Sequence, residues 1–321
     1  MIMHIPLACL YAVATMLVAG DAAFGQTYPN RPVKMVATAA GGAGDVAARI
    51  IAQHITGPLG QPVVIENRGT GIIPGEIVAK ATPDGYTLLI AGTVIWLSPF
   101  LQDHVPFDPV RDFAPITLAV TTPNVLVVHP SLPVKTVKDL IALARSKPGA
   151  LNYGTTGSGS SYHLAGELFK AMARVDLVRV AYKASAQGLI DLIAGQLHVM
   201  FPTAPAGLPY LKSAKLKALA VTSAGPSALL PGLITVAASG LPGYESGSIL
   251  GIFAPAKTPD PIIQRLHQEI VRVLSNAEQK EKFLGLGLET VGNTPEQLGT
   301  LIKAEMTKWG KVIKHAGIKA E

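Results

Sequence analysis

The sequence predicts an α/β protein of two lobes, each a mainly parallel sheet flanked by helices. Three observations carry that expectation. Short β-rich runs alternate with helical apolar periodicity along nearly all of the 321 residues, the pattern of strand–helix–strand units. Two loops of small residues, 39–45 and 155–161, each separate a strand from a helix. Two turn-rich spans, His129-Pro-Ser-Leu-Pro133 and the Gly/Ser/Pro-rich run 223–248, divide the chain.

Residues 1–25 read as a secretory signal. Positions 5–20 carry no charge and are too few to span a bilayer comfortably. Ala23-Phe24-Gly25 then places small residues where a signal peptidase requires them, so Gln26 is expected to begin the mature chain. A buried first helix is the competing reading, which the extended Gln26-Thr-Tyr-Pro-Asn-Arg-Pro32 disfavours.

Strands are expected where β-branched and apolar residues concentrate: 33–37, 63–66, 87–90, 116–119, 125–128, 177–180, 199–201, 216–221 and 249–253. Helical spacing marks 45–55, 137–146, 161–173, 185–194 and 261–275. The last helix is announced by Thr294-Pro-Glu-Gln297, an N-cap, a first-turn Pro and a capping-box Gln. Leu298, Leu301, Ile302, Met306, Trp309, Val312 and Ile313 follow at helical spacing. Crossings at both turn-rich spans give lobe 1 as 26–128 plus 249–321 and lobe 2 as 129–248, with hinge crossings near 128 and 248. Each small-residue loop then belongs to a different lobe.

Composition removes several function classes. The chain is 49% hydrophobic and 15% charged, with mean hydropathy +0.36, which excludes a disordered or fibrous chain. Its net charge of +6 is spread along the sequence. The densest group, Lys308, Lys311, Lys314 and Lys319, lies on the last helix with no interleaved aromatic stripe, so no nucleic-acid partner is expected. Cys9 is the only cysteine and falls in the segment to be removed. The mature chain is therefore expected to have no disulfide, thiolate zinc site or Cys nucleophile.

The chemistry concentrates in the two loops. Leu151-Asn-Tyr-Gly-Thr-Thr-Gly-Ser-Gly-Ser-Ser161 runs from an apolar strand to a helix start, and Val33–Arg49 repeats the arrangement. Such loops aim backbone N–H groups and the positive end of a helix dipole at one point, which suits an anion. Gly42-Ala-Gly-Asp-Val-Ala47 also fits the dinucleotide pattern, with Glu66 near the position of a ribose-binding acid. An exported NAD-type oxidoreductase is therefore the alternative reading. A P-loop is not expected, because Ser160 stands where the lysine belongs. No loop serine has Gly on both sides at hydrolase-elbow spacing. His163 and Glu167 share a helix face but suggest no third ligand, so no metal is expected. Asp45 is read as a helix cap. Lys183 either steers an anion or is merely exposed.

Taken in order, these segments resemble the Bug-type extracytoplasmic solute-binding proteins of tripartite tricarboxylate transporters. The similar segments include Tyr28-Pro-Asn-Arg-Pro32, Gly41-Gly-Ala-Gly-Asp45, Gly60-Gln-Pro-Val-Val-Ile-Glu-Asn-Arg68, Ala79-Lys-Ala-Thr-Pro-Asp-Gly-Tyr-Thr87, Phe107-Asp-Pro-Val-Arg-Asp-Phe-Ala-Pro115, Leu151–Lys170, Tyr182-Lys183, Leu216–Ser223, Leu241-Pro-Gly-Tyr244 and Phe253-Ala-Pro-Ala256. The resemblance implies a type II-like two-lobe periplasmic binding fold. It further implies a monomeric receptor, not an enzyme, that closes on a small organic carboxylate or dicarboxylate without a cofactor and delivers it to a membrane permease. A sensory receptor presenting ligand to a membrane kinase would share fold and site. By position, one half-site comprises Ala39, Ala40, Gly41, Gly42, Ala43, Gly44 and Asp45, bordered by Thr93. The other comprises Thr155, Thr156, Gly157, Ser158, Gly159, Ser160 and Ser161, with Lys183 and Thr203 nearby. Three departures stand out. Ala39 and Ala40 replace prolines, and the segment after Arg68 is short, with an unusually apolar Thr93-Val-Ile-Trp96 beyond it. Phe201-Pro-Thr203 replaces Phe-Asp-Asn, which removes a partner for a ligand ammonium and makes an amino acid a poor candidate ligand. Trp96 is open to two readings, a stacking surface for ligand or core packing.

Overall fold

A computed structural model of the chain describes residues 28–38, 40–69 and 71–318. The expected signal segment and its processing site lie outside the described residues. The strands are β1 (Val33–Ala37), β2 (Val63–Asn67), β3 (Thr87–Ala91), β4 (Phe113–Pro123), β5 (Val125–Val128), β6 (Leu151–Thr155), β7 (Leu177–Ala181), β8 (Val199–Met200), β9 (Lys217–Val221), β10 (Gly247–Pro255) and β11 (Glu289–Thr290). The helices are α1 (Ala43–Leu59), α2 (Ile73–Ala79), α3 (Thr93–Leu101), α4 (Val137–Ser146), α5 (Ser161–Ala173), α6 (Ser185–Ile193), α7 (Ala204–Lys212), α8 (Asp260–Ser275), α9 (Ala277–Gly285) and α10 (Pro295–Ala316).

Two sheets divide these strands, in the orders β11-β4-β10-β3-β1-β2 and β7-β6-β8-β5-β9. Parallel pairing holds in β2-β1-β3 and in β7-β6-β8, where helical crossovers return each strand to the same edge. The strands that carry the chain between lobes pair antiparallel: β10 with β3 and β4, β5 with β8 and β9. Both sheets are consequently mixed rather than mainly parallel. Helices cover both faces of each sheet, so β1 and β5 read as almost unbroken apolar runs.

The first crossing falls at Asn124, not near 128. Val125–Val128 is fully buried in the second sheet, and the Pro-marked span 129–133 is the turn that follows it. The second crossing runs through 222–246, and β10 opens at Gly247 beside Pro123. The two crossings clasp each other. Asn124 N donates to Thr222 Oγ1 at 2.8 Å, and Ser246 N donates to the Thr222 carbonyl at 3.0 Å.

Helices α2, α3, α7 and α9 extend the sequence reading. Six of the nine residues of α3 are buried and its exposed pair, Pro99 and Phe100, is apolar, so it lacks the polar face that marks a helix in sequence. Its Trp96, 1% exposed, packs with its ring centroid 6.2 Å from that of Phe253. Trp96 is therefore a core residue and offers no stacking surface to a ligand. The announced start of α10 is observed, with Thr294 and Gln297 forming both capping bonds. Leu164 of α5, a second-lobe helix, joins the apolar cluster of Trp96, Leu101 and Phe253 and so packs one lobe against the other.

Candidate functional site

Each parallel strand ends at the start of a helix. β1 leads to α1, β3 to α3, β6 to α5, β7 to α6 and β8 to α7. First-turn N–H groups have no intrahelical acceptor, and the dipole adds positive potential there. In open α/β sheets this edge is where ligands bind. Contacts bring the two loops to one place. Gly44 and Gly92, the N-cap of α3, both lie against Leu250 Cδ2. The next residue, Thr93, donates through Oγ1 to the Gly159 carbonyl in the second loop at 3.4 Å.

The loops share one construction. Gly41 and Gly159 both adopt φ +79°, a left-handed conformation that glycine takes without strain. Each is followed by an extended N-cap, Gly42 or Ser160, and then by the first helical residue, Ala43 or Ser161. The third helical residue reaches back to the glycine N–H in both. Asp45 Oδ2 accepts from Gly41 N at 3.0 Å, and His163 Nδ1 accepts from Gly159 N at 3.2 Å. Asp45 therefore does not cap α1; Gly42 does, and Asp45 fixes the loop. The Ser160 hydroxyl accepts from His163 N at 3.3 Å, while its own N–H is used by the Gly157 carbonyl at 3.1 Å. Among the described residues, the first-turn amides at Ala43, Gly44, Ser161 and Tyr162 have no backbone acceptor outside their helices, which leaves them as donors for a ligand.

Side chains beyond the loops hold them in shape. Asn67 Nδ2 donates to the Thr38 carbonyl at 2.8 Å and to Asp45 Oδ1 at 2.9 Å, and Arg49 pairs with the same carboxylate at 2.9 Å. Burial alone would raise the Asp45 carboxyl. The bonds from Arg49, Gly41 and Asn67 outweigh it and hold the group below its ordinary value. In the second loop, Arg179 of β7 donates to Ser158 Oγ at 3.1 Å. Burial, helped by the positive charge of Arg179, pushes His163 down to about 4, so the imidazole is neutral and free to accept. Asn124 Nδ2 lies 3.4 Å from Ser161 Oγ, and Tyr162 Oη lies 3.4 Å from Thr203 Oγ1. The crossing and the start of α7 thereby meet the second loop.

Of the candidates, Thr93, Thr155, Gly159, Ser161 and Thr203 are buried around this point, and Ala40, Gly41, Gly42 and Gly157 are exposed. Ala39 lies outside the described residues. Lys183 is exposed on the loop after β7, and no bond joins it to the other candidates among the described residues. Arg179, Asn67 and Asn124 were not legible as site residues, because each is an isolated polar residue in or beside a strand.

The arrangement disfavours the alternatives. Glu66 pairs with Lys34 at 2.7 Å and with Arg68, so it is committed to structure rather than to a ribose. Glu167 accepts from Tyr153 Oη and from Lys170, and His163 is committed to Gly159. No cluster of three metal-ligating side chains occurs among the described residues. A groove of about 880 Å³ runs along α10, lined by Phe100, Met306, Ile313, Ile318, Lys303 and Lys311 among others. It presents apolar side chains and long flexible cations but no convergent N–H groups, so the loop site is the better match to an anion.

A family model described as the tripartite tricarboxylate transporter family receptor matches residues 47–318. Protein BugT of Bordetella pertussis is 32% identical over 91% of this chain and 91% of its own length. A structure of R. palustris Rpa4515 with adipate superposes with TM-score 0.86 at 38% identity, covering 91% of this chain and 99% of the other. MatC from Rhodopseudomonas palustris with bound malate superposes with TM-score 0.83 at 29% identity, covering 89% and 100%. No helix among the described residues is long and apolar enough to cross a membrane.

Proposed function

Because the chain belongs to the tripartite tricarboxylate transporter receptor family, we propose that it is a periplasmic receptor for a small organic dicarboxylate. The family and its solved neighbours are solute-binding proteins rather than enzymes. In this reading the ligand lies between the lobes, one end at the 40–45 loop and the other at the 155–161 loop. The observation that carries it is the repeated construction: two left-handed glycines, each two residues before a helix whose first-turn amides face the junction of the lobes. Adipate and malate in the two related structures support the choice of ligand class. The receptor acts as a monomer exported to the periplasm. It hands its ligand to a membrane permease, and closing the lobes about their crossings at Asn124 and 222–246 is the signal that partner reads. Amide bonds leave no buried ion pair to break on release.

Thermal-shift measurement tests this with adipate, malate, succinate and benzoate beside NAD and NADP. A carboxylate at about 100 times its Kd adds roughly 2.7 kcal/mol. At roughly 2–4 °C per kcal/mol, measured for chains somewhat shorter than this one, that is a shift of several degrees. A shift with a dinucleotide and with no carboxylate would overturn the proposal.

A further inference from the structure

Resting on that receptor reading, we propose that the groove along α10 is the surface on which the membrane permease docks, and that it takes an acidic amphipathic helix of that partner.

The groove is long, apolar at its floor and cationic at its rim. Its main part, about 880 Å³, runs from Lys303 to Ile318. A second hollow of about 360 Å³ shares Val110 and Lys303 with it and carries the groove on to Pro295, past Phe113 and Phe253. α10 has 22 residues, so at about 1.5 Å per residue the groove follows roughly 33 Å of helix. A small solute would fill a fraction of that length, whereas a helix laid alongside fills it. Phe100 and Val110 stand on its wall 41% and 43% exposed, large apolar side chains of the kind that a partner covers.

Charge selects the occupant. Lys303, Lys311 and Lys314 line the groove and form no ion pair among the described residues, whereas Lys308 pairs with Glu245 and Glu305. The dipole of α10 accounts only for Lys314, in the last turn. From Lys303 to Lys314 the cations spread over about 16 Å. A single carboxylate head, as on a fatty acid, would meet one of them; several acids along one helix meet all three. Glu296 lines only the far end, which directs the partner's acids towards 303–314. A second copy of this chain is a poor occupant, since each carries a net charge of +6. A flat lipid surface would reach the lysines but not the apolar floor.

The groove also registers closure. Its wall includes Phe100 of α3, whose ring lies over Gly310: a Cβ there would stand 2.9 Å from Phe100 Cε1. The next residue, Leu101, faces the second loop, where a Cβ at Gly159 would stand 2.3 Å from Leu101 Cδ1. The end of α3 is thus held between the second lobe and α10. Lys308 also ties α10 to the second crossing, through Glu245 at 3.4 Å. Parting the lobes frees one side of α3 and with it the groove wall, so a partner seated there distinguishes the closed receptor from the open one.

Two measurements on the same proteins test this: adipate affinity by calorimetry, and uptake of radiolabelled adipate at limiting concentration by cells that express this receptor with its own permease. One variant combines Lys303→Glu, Lys311→Glu and Lys314→Glu; another, Thr307→Trp, fills the groove. Both should keep Kd within about twofold of wild type and cut uptake by at least about tenfold. Lys147→Glu, Lys212→Glu and Lys215→Glu together, all exposed on the second lobe, change the net charge equally and should leave uptake unchanged. A photo-crosslinker at position 307 should join the receptor to an acidic, amphipathic helix of the permease, more strongly when adipate is present. Normal uptake by both groove variants would overturn the inference. Equal loss in the second-lobe control would do the same, as would a crosslink to lipid or to a second copy of this chain. None of these results touches the receptor reading, because adipate binding is measured separately. Wild-type protein that binds no carboxylate would remove that reading and this one with it.

Discussion

Replacing Gly159 by Ala should damage folding and ligand binding through two separable effects. The first is local. Gly159 has φ +79°, and an L side chain in that left-handed region costs about 1–2 kcal/mol. This strain is present with or without ligand and lowers the melting temperature by roughly 2–8 °C. The second acts between lobes. An added Cβ would stand 2.3 Å from Leu101 Cδ1 and 3.7 Å from Val94 Cγ2, both on α3 of the other lobe. Leu101 is 5% exposed within an apolar cluster and has little room to turn away. Overpacking of this kind costs about 1–3 kcal/mol. Because opening the lobes relieves it, the cost falls on the closed, liganded form and appears as roughly a 5- to 150-fold rise in Kd. Calorimetry gives the Kd, and scanning calorimetry without ligand gives the strain. Leu101→Ala in the same chain should restore part of the affinity but none of the stability, a coupling above about 1 kcal/mol. A Gly159→Ala protein that melts lower yet binds as wild type would refute the idea that this loop closes against α3.

Other expectations follow from the same geometry. Ser161→Pro removes a first-turn N–H at a position where proline suits the helix start, and Ser160 at φ −66°, ψ 157° already has the backbone that must precede it. Circular dichroism should show an intact fold, and carboxylate binding should weaken by about 1.5–3 kcal/mol. Ser161→Ala, which loses only the hydroxyl near Asn124, should cost less; equal losses would mean that the hydroxyl, not the amide, holds the ligand. His163, at about 4 against an ordinary 6.5, binds a proton more readily unfolded than folded. Stability should therefore be full above about pH 6.5 and fall progressively towards pH 4, by about 3 kcal/mol in all. Denaturant unfolding of His163→Gln should lack that part of the slope, and an unchanged slope would show that the ring is not held neutral.

Much of the fold was legible because its signals are local. β1, α4 and α5 lie where alternation and helical spacing put them, and both loops announce themselves by small residues between strand and helix. The displaced crossing at Asn124 was hidden because the chain passes between lobes in extended form, without a turn residue cluster, while the Pro-rich 129–133 turn drew attention instead. Helix α3 was hidden because even its exposed residues, Pro99 and Phe100, are apolar and leave it no polar face. The site was half legible. Backbone donors follow from loop composition, but Arg179 meets Ser158 across 21 residues, Asn67 meets Asp45 across 22 and Asn124 meets Thr222 across 98. No spacing rule connects such pairs; only the sheet order brings them together. Asp45 was misread for a related reason, since a cap and a third-residue carboxylate differ by a shift in helix start that sequence fixes only within a residue or two.

A crystal structure of the protein with adipate tests the two-loop clamp most directly. One carboxylate is expected about 2.7–3.2 Å from the N–H groups of Ser161 or Tyr162, and the other end at the same kind of distance from Ala43 or Gly44. Adipate seated in the groove along α10, or held by one lobe alone with the other loop turned away, would contradict it.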